Sequence, residues 1–324
     1  MAPTSSHQYD LILLGATGFT GKLTAEYITK HLPRDLNWAV AGRSHDKLAG
    51  IVKALQEVQP DRKQPAIETT ELSKESLNSL VRKTRVLVST VGPYHRYGGP
   101  VIEACANAGT HYVDCCGETP WVYDIAHKYH KLAQSNKAIL ITQCGIESAP
   151  ADIVAYIVAS FMRENFSVGT ADLVHSLQEF NNSASGGTLH SLITVASSYS
   201  LSHLRKSLQP LSLCADKLPT TPPTTPRFYK LTGSHSVPGL GLLTDSVLGV
   251  PDTNLVYRSW SLIDGGNFYG PKFNYFTGMK AKNRISGFLW HSTMNLSMLM
   301  LLLPPVRWLL TSLIPQPGEG PSKV

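Results

Sequence analysis

Cysteine is scarce in this chain, and the little there is follows no pairing pattern. Cys105, Cys115, Cys116, Cys144 and Cys214 are odd in number and spread over 324 residues, so no disulfide framework is indicated. None stand at the two-residue separation of a zinc knuckle, and the histidines are scattered, so no metal centre is expected. Reduced, mostly buried thiols in an intracellular compartment are the reading. The N-terminal residues 1–8 have no apolar core, so no signal peptide is expected. The net charge of +6 comes without a dense Lys/Arg run, which argues against a nucleic-acid partner. No Gly-x-Ser-x-Gly elbow occurs, so a Ser–His–Asp hydrolase has no support.

What is present begins at Tyr9. The apolar run Leu11–Leu14 ends in Gly15-Ala16-Thr17-Gly18-Phe19-Thr20-Gly21, and a helical pattern follows over Lys22–His31. This is a strand, a tight turn and a helix start. Amides at a helix N-terminus attract phosphate, and glycine lets a diphosphate approach without a Cβ in the way. Gly15, Ala16, Thr17, Gly18, Phe19 and Gly21 are therefore the expected dinucleotide cradle. About 20 residues beyond the glycines, where a carboxylate would bond the 2′-hydroxyl of NAD, stands Gly42-Arg43-Ser44. A guanidinium forks onto a phosphate instead, so Arg43 with Ser44, and with Lys47 in reach, points to NADP(H).

The first part alternates apolar runs and helical patterns. Strands are predicted over Leu11–Leu14, Ala39–Ala41, Ala66–Thr69, Val86–Ser89, His111–Asp114 and Ala138–Thr142, with helices between them. Such alternation gives a parallel sheet covered on both faces. The rhythm changes near Cys144. Ser148-Ala149-Pro150 reads as a helix entry, Thr170–Phe180 as a strand and Ser185–Thr188 as another helix start; residues 218–226 read as a Pro/Thr-rich loop, residues 237–241 as a loop, and Leu255–Ile263 as a strand. The expected domains are 1–147, a Rossmann domain with a doubly wound parallel sheet; 148–284, an α+β substrate or dimerisation domain; and 285–324, an apolar helical segment.

That last segment carries no Asp, Glu, Lys or Arg between Arg284 and Arg307, and Met298–Leu303 is strongly apolar. A spanning helix wants about 20 mostly apolar residues. His291, Ser292, Thr293, Asn295 and Ser297 dilute the first half, and Pro304-Pro305 interrupts the rest. Two readings stay open: a helix–Pro-Pro–helix element lying in a membrane interface, with Lys272, Lys280, Lys282 and Arg284 at headgroup level, or a helix pair covering the second domain's sheet.

Further chemistry is expected at strand ends, where open parallel sheets bind ligands. Val91, Gly92 and Pro93 should line the nicotinamide half. Tyr94 is the candidate catalytic residue, orienting substrate or donating a proton; the alternative is an aromatic plug holding a tight Gly-Pro turn. Asp114 and Glu118 either bind ribose or a basic substrate group, or cap helices and strand ends. Cys116 beside them carries no sign of a lowered pKa.

Gly15–Gly21, Ala41-Gly42-Arg43, Val91-Gly92-Pro93-Tyr94 and His111–Asp114 through Gly117-Glu118 together resemble the saccharopine dehydrogenase-like oxidoreductases, in the same order. Ala149–Asp152, Ser185–Thr188 and Pro317–Ser322 extend the resemblance over nearly the whole chain, closest to the trans-acting enoyl reductase branch. The resemblance implies an NADP-binding Rossmann domain, a second α+β domain, and reduction of a lipid- or polyketide-linked acyl chain. It also implies association with membranes or lipid droplets, as in eukaryotic relatives. Imine reduction of the saccharopine type, and a non-catalytic lipid-surface role, are the alternatives; homo-oligomerisation stays open. In the family the Gly-Glu-Gly-Pro-Ser motif is followed by further chain, whereas here Val324 follows almost at once. A second domain truncated at its C-terminus, with an exposed sheet edge, is therefore expected.

Overall fold

A computed structural model describes residues 7–146, 148–179, 186–215, 218, 223–224 and 228–313. Chain contacts divide it at Cys144/Gly145 into two compact units.

In the first unit, strands alternate with helices: β1 (Tyr9–Leu14), α1 (Phe19–His31), β2 (Trp38–Gly42), α2 (His45–Val58), β3 (Ala66–Thr69), α3 (Lys74–Arg82), β4 (Thr84–Ser89), α4 (Tyr94–Ala108), β5 (His111–Asp114), α5 (Thr119–Ser135) and β6 (Leu140–Ile141). The sheet order is β3-β2-β1-β4-β5-β6, and every pairing is parallel. That is the doubly wound Rossmann order, with the chain reversing direction between β1 and β4. Helices cover both faces, so the central strands are apolar throughout: Ile12, Leu13, Leu14 and Trp38 to Ala41 are buried. Leu13, Ala25, Ile28, Val40, Leu48 and Leu55 close one face against α1 and α2. Ser44 caps α2 and Ser73 caps α3 through their side chains.

The second unit holds α6 (Ala149–Phe166), β7 (Asp172–Leu177), α8 (Leu201–Ser207), α9 (Tyr229–Thr232), β8 (Ser234–Val237), β9 (Gly241–Thr244), α10 (Gly249–Leu262), β10 (Asn274–Lys280), α11 (Arg284–Met300) and α12 (Pro304–Leu313); α7 (Gly186–Ser198) is divided between the units. Its sheet runs β7-β10-β9-β8, with β10 parallel to β7 and antiparallel to β9, which forms a hairpin with β8. Ala155, Ala159, Val256, Tyr257, Trp260, Tyr269 and Phe273 form its core.

The strand expected over Leu255–Ile263 is instead the body of α10. Its buried residues Asp252, Val256, Tyr257, Trp260 and Ser261 fall at a helical spacing. Buried polar residues among them hide that period from a hydrophobicity count. The loop expected at residues 237–241 is the turn of the β8–β9 hairpin. Pro317–Ser322 and most of residues 218–226 lie outside the described residues.

Candidate functional site

The glycine turn sits at the carboxyl end of β1. Gly15 has φ +91°, and its amide donates to the Ala41 carbonyl at 2.9 Å, tying the turn to β2. A Cβ on Gly15 would stand 2.8 Å from Thr90 Oγ1 and 2.9 Å from Val91 Cγ2, so the β4 loop presses directly on this turn. Gly21 packs α1 onto the turn: a Cβ there would lie 2.1 Å from the Gly15 carbonyl oxygen. Gly18 is different. A Cβ on it would meet only the Gly15 oxygen, at 3.5 Å, so protein packing leaves room there.

The amides of Ala16, Thr17, Phe19, Thr20 and Gly21 find no acceptor among the described residues, and no acidic residue stands in the first turn of α1. Unsatisfied donors at the positive end of a helix, beside a position held clear of side chain, fit a diphosphate.

Arg43 follows β2 two residues after Ala41, whose carbonyl holds Gly15, so it lies beside the cradle on the same rim. Its guanidinium is exposed and has no acceptor among the described residues. Ser44 Oγ accepts from the Lys47 amide at 3.4 Å, leaving its hydroxyl proton available to an anion.

On the other side of β1, Thr90 donates to the Leu14 carbonyl through its amide (2.9 Å) and its hydroxyl (3.2 Å). Val91 is half-buried, Gly92 is exposed, and the Gly92–Pro93 peptide is cis. The chain then enters α4 at Tyr94.

Tyr94 is buried. Its hydroxyl donates to the Ser89 carbonyl at 3.0 Å, lies 3.4 Å from Cys115 Sγ, and its ring packs on Trp121. Burial, with Cys115 and Asp114 nearby, raises its pKa well above 10. This is the geometry of the aromatic plug, in which the hydroxyl is engaged inside the protein.

The two carboxylates also serve the backbone. Glu118 accepts from the Tyr94 and His95 amides, both at 2.8 Å, and from His95 Nδ1 at 2.6 Å. It caps α4 from outside the helix. Burial alone would raise its pKa, but the hydrogen bonds from His95 and Tyr94 outweigh that and lower it. Asp114 accepts from Tyr112 Oη (2.8 Å) and from the Cys116 (2.9 Å) and Gln143 (3.0 Å) amides, joining β5 to the loop after β6. Burial still pushes its pKa up to about 6. Cys116 is fully buried and its thiol pKa is raised, the reverse of an activated nucleophile.

Sequence reasoning missed one polar cluster in the second unit. His175 Nδ1 on β7 faces Tyr275 Oη (3.2 Å) and Thr277 Oγ1 (3.3 Å) on β10, with Asp252 of α10 at 3.9 Å. The signal was alternation: Leu173 and His175, and Tyr275 and Thr277, share one face of paired strands. Among the described residues no His/Cys/Asp/Glu group could hold a metal ion.

The family model for the saccharopine dehydrogenase NADP binding domain matches residues 11–141, which contain the whole cradle. A protein named as a trans-acting enoyl reductase in Mycobacterium bovis is 30% identical over 100% of this chain and 79% of its own length. A Mycobacterium tuberculosis protein of the same naming is 32% identical over 97% of this chain and 77% of its own. A lipid droplet localized protein of Caenorhabditis elegans is 32% identical over 66% of this chain and 52% of its own. Among solved structures, apo saccharopine dehydrogenase (L-Glu forming) of Saccharomyces cerevisiae is similar at 11% identity and TM-score 0.46, covering 90% of this chain and 59% of that one. With an NADP-binding domain at its N-terminus and full-length similarity to the trans-acting enoyl reductases, the chain belongs to the saccharopine dehydrogenase-like oxidoreductase family.

Proposed function

We propose that this protein is an NADPH-dependent reductase acting on an activated C=C bond of a lipid or polyketide acyl chain, and that it works at the surface of a membrane or lipid droplet. The observation that carries the reading is the pairing of an open helix mouth at Gly18 with an uncommitted guanidinium at Arg43. The enoyl substrate class is supported by the names of the mycobacterial relatives, and the lipid surface by that of the nematode relative.

When bound, the dinucleotide supplies the hydride. The amides of Ala16, Thr17, Phe19, Thr20 and Gly21 hold its diphosphate, and Arg43 with Ser44 selects the 2′-phosphate. Val91, Gly92 and Pro93 line the nicotinamide half and limit water there. Tyr94 holds the turn that carries them and acts as a positioning residue, its hydroxyl fixed on Ser89. The imine reading leaned on Asp114 and Glu118 as ammonium ligands. Both carboxylates are occupied by amides and ring donors, which removes that support.

The test is cofactor titration and turnover on the full chain. NADPH should bind far more tightly than NADH. Arg43→Ala should weaken NADPH by roughly 10- to 100-fold, the worth of a hydrogen bond to a charged group (~1.5–3 kcal/mol), and leave NADH nearly unchanged. NADPH oxidation should follow addition of an enoyl thioester and not of a cyclic imine. Equal losses for both cofactors would defeat the 2′-phosphate assignment. Turnover of the imine alone would replace the substrate class, and tight NADPH binding with no turnover of either would favour the non-catalytic role.

A further inference from the structure

Among the described residues no single helix is long and apolar enough to cross a membrane, but α11 and α12 together pass that test while bent by 103° at their junction. The first half of α11 is fastened to the second unit. Asn283 and Ser286 form a reciprocal cap at its start. The Gly287 carbonyl accepts from Thr244 Oγ1, Trp290 Nε1 donates to the Asp245 carbonyl at 3.0 Å, and His291 pairs with the Asp245 carboxylate. Beyond Asn295 these ties end. Leu296, Met298, Leu299, Met300, Leu303 and Trp308 are all exposed, from 40% to 76%.

At about 100° per residue, Leu296, Met298, Leu299 and Met300 cover about 200° of the helix circumference, with exposed Ser297 in the remaining sector. An exposed apolar arc about twice the width of the stripe on a surface helix is normally covered. Leu303 and Trp308 continue this exposed apolar surface past the bend, and with Lys280, Lys282 and Arg284 at the other end the occupant that suits this tip is a lipid surface.

The break is built for a medium without water. Pro304 and Pro305 supply no N–H, so carbonyls at the end of α11 would stand unpaired, at a cost of several kcal/mol each in hydrocarbon. Arg307, the only charged residue after Arg284 in the described chain, reaches back: Nη1 donates to the Leu301 carbonyl at 3.0 Å and the Leu302 carbonyl at 2.9 Å. The Thr311 and Ser312 hydroxyls are likewise spent on the Arg307 and Leu309 carbonyls. At the fastened end, Lys280, Lys282 and Arg284 are exposed, with the sign that suits anionic headgroups. The ten residues of α12 are about 15 Å long, half of a hydrocarbon core of about 30 Å.

We infer that α11 and α12 form a re-entrant hairpin that inserts its Met298–Trp308 tip into one leaflet of a phospholipid surface, with Arg307 satisfying the backbone at the bend. This rests on the lipid-surface reading above and names the segment responsible. A single leaflet suffices, so the monolayer around a neutral-lipid body can hold it, which a spanning helix could not use.

The full chain would be mixed with triolein droplets coated in phosphatidylcholine and phosphatidylserine, then floated. Wild type should rise with the droplets, and high salt or omission of phosphatidylserine should reduce the recovery several-fold. A Leu299→Asp/Leu303→Asp variant should lose more than tenfold of the droplet-bound fraction while binding NADPH normally, which separates lost insertion from lost folding. Of the five tryptophans only Trp308 is highly exposed, so droplets should shift its emission to the blue, and brominated lipid should quench it; Trp308→Phe should abolish both changes. If the double variant floats like wild type, the hairpin proposal falls while the lipid location stands. If wild type stays in solution, both fall. A wild-type dimer that ignores droplets and becomes monomeric in the variant would show that a second copy covers the tip.

Discussion

Replacing two glycines of the same motif should separate binding from folding. At Gly21 an alanine Cβ would fall 2.1 Å from the Gly15 carbonyl oxygen and 2.8 Å from Ala16 Cα. Both are backbone atoms and cannot rotate away, so α1 must move off β1. Overpacking of this kind costs ~1–3 kcal/mol or more, which for a protein of this size lowers Tm by roughly 2–5 °C. At Gly18 the backbone is extended (φ −74°, ψ 169°), and the added Cβ meets one atom at 3.5 Å, an ordinary contact. Alanine there restricts the unfolded chain and is neutral or stabilising by about 0.4–1 kcal/mol. Yet its methyl group stands where the diphosphate must approach the α1 amides. Losing one or two charge-assisted hydrogen bonds at ~1.5–3 kcal/mol each weakens NADPH by at least tenfold to a hundredfold. Thermal unfolding without ligand, paired with nicotinamide fluorescence titration, reads both quantities. The expected pattern is crossed: Gly21→Ala melts early, while Gly18→Ala keeps its Tm and loses NADPH. A Gly18→Ala protein that binds NADPH like wild type would refute the cradle.

Three further outcomes are expected. Tyr94→Phe removes the bond to Ser89 and should cost about 1 kcal/mol of stability with turnover changed only a few-fold; a kcat loss beyond a hundredfold at unchanged NADPH affinity would return Tyr94 to proton donation. Asp114, raised to about 6 from an unfolded value near 3.9, binds its proton more tightly in the fold, so its contribution to stability is present below pH ~4 and is lost as pH rises through 6. Asp114→Asn should flatten that decline in denaturation curves, and identical slopes would show that the carboxyl ionises without penalty. Glu118 has the opposite sign: its lowered pKa gives stability present above about pH 4.3 and lost as pH falls toward its folded value. Glu118→Gln should destabilise at neutral pH and lose less on acidification than wild type; a variant as stable as wild type at pH 7 would mean that the α4 cap carries no weight.

The Rossmann half was legible because strands covered on both faces must be continuous apolar runs, and Leu11–Leu14, Trp38–Ala41 and Val86–Ser89 are such runs. The turn after β1 was equally readable, since only glycine serves at Gly15 and Gly21. The second unit was less legible. In α10 the buried face includes Asp252, Asn254 and Ser261, so the helical period lies in packing and not in hydrophobicity. β8 and β9 are four residues each, too short for alternation to stand out. The roles of Asp114 and Glu118 depend on amides 23 to 29 residues away in sequence, contacts that exist only once the sheet has formed. Residue type alone suggested ligand binding or capping equally well.

The capping of α4 has a further effect on the rim of the parallel sheet. Two helices, α1 and α4, begin at the ends of the neighbouring strands β1 and β4, and each presents a partial positive charge there. Glu118 counters the second through the Tyr94 and His95 amides, so an incoming polyanion would meet attraction at one mouth and a resident negative charge near the other. For a dinucleotide held as proposed, that asymmetry would distinguish head from tail before any ring is recognised, with the less charged end favoured toward the Val91–Pro93 turn.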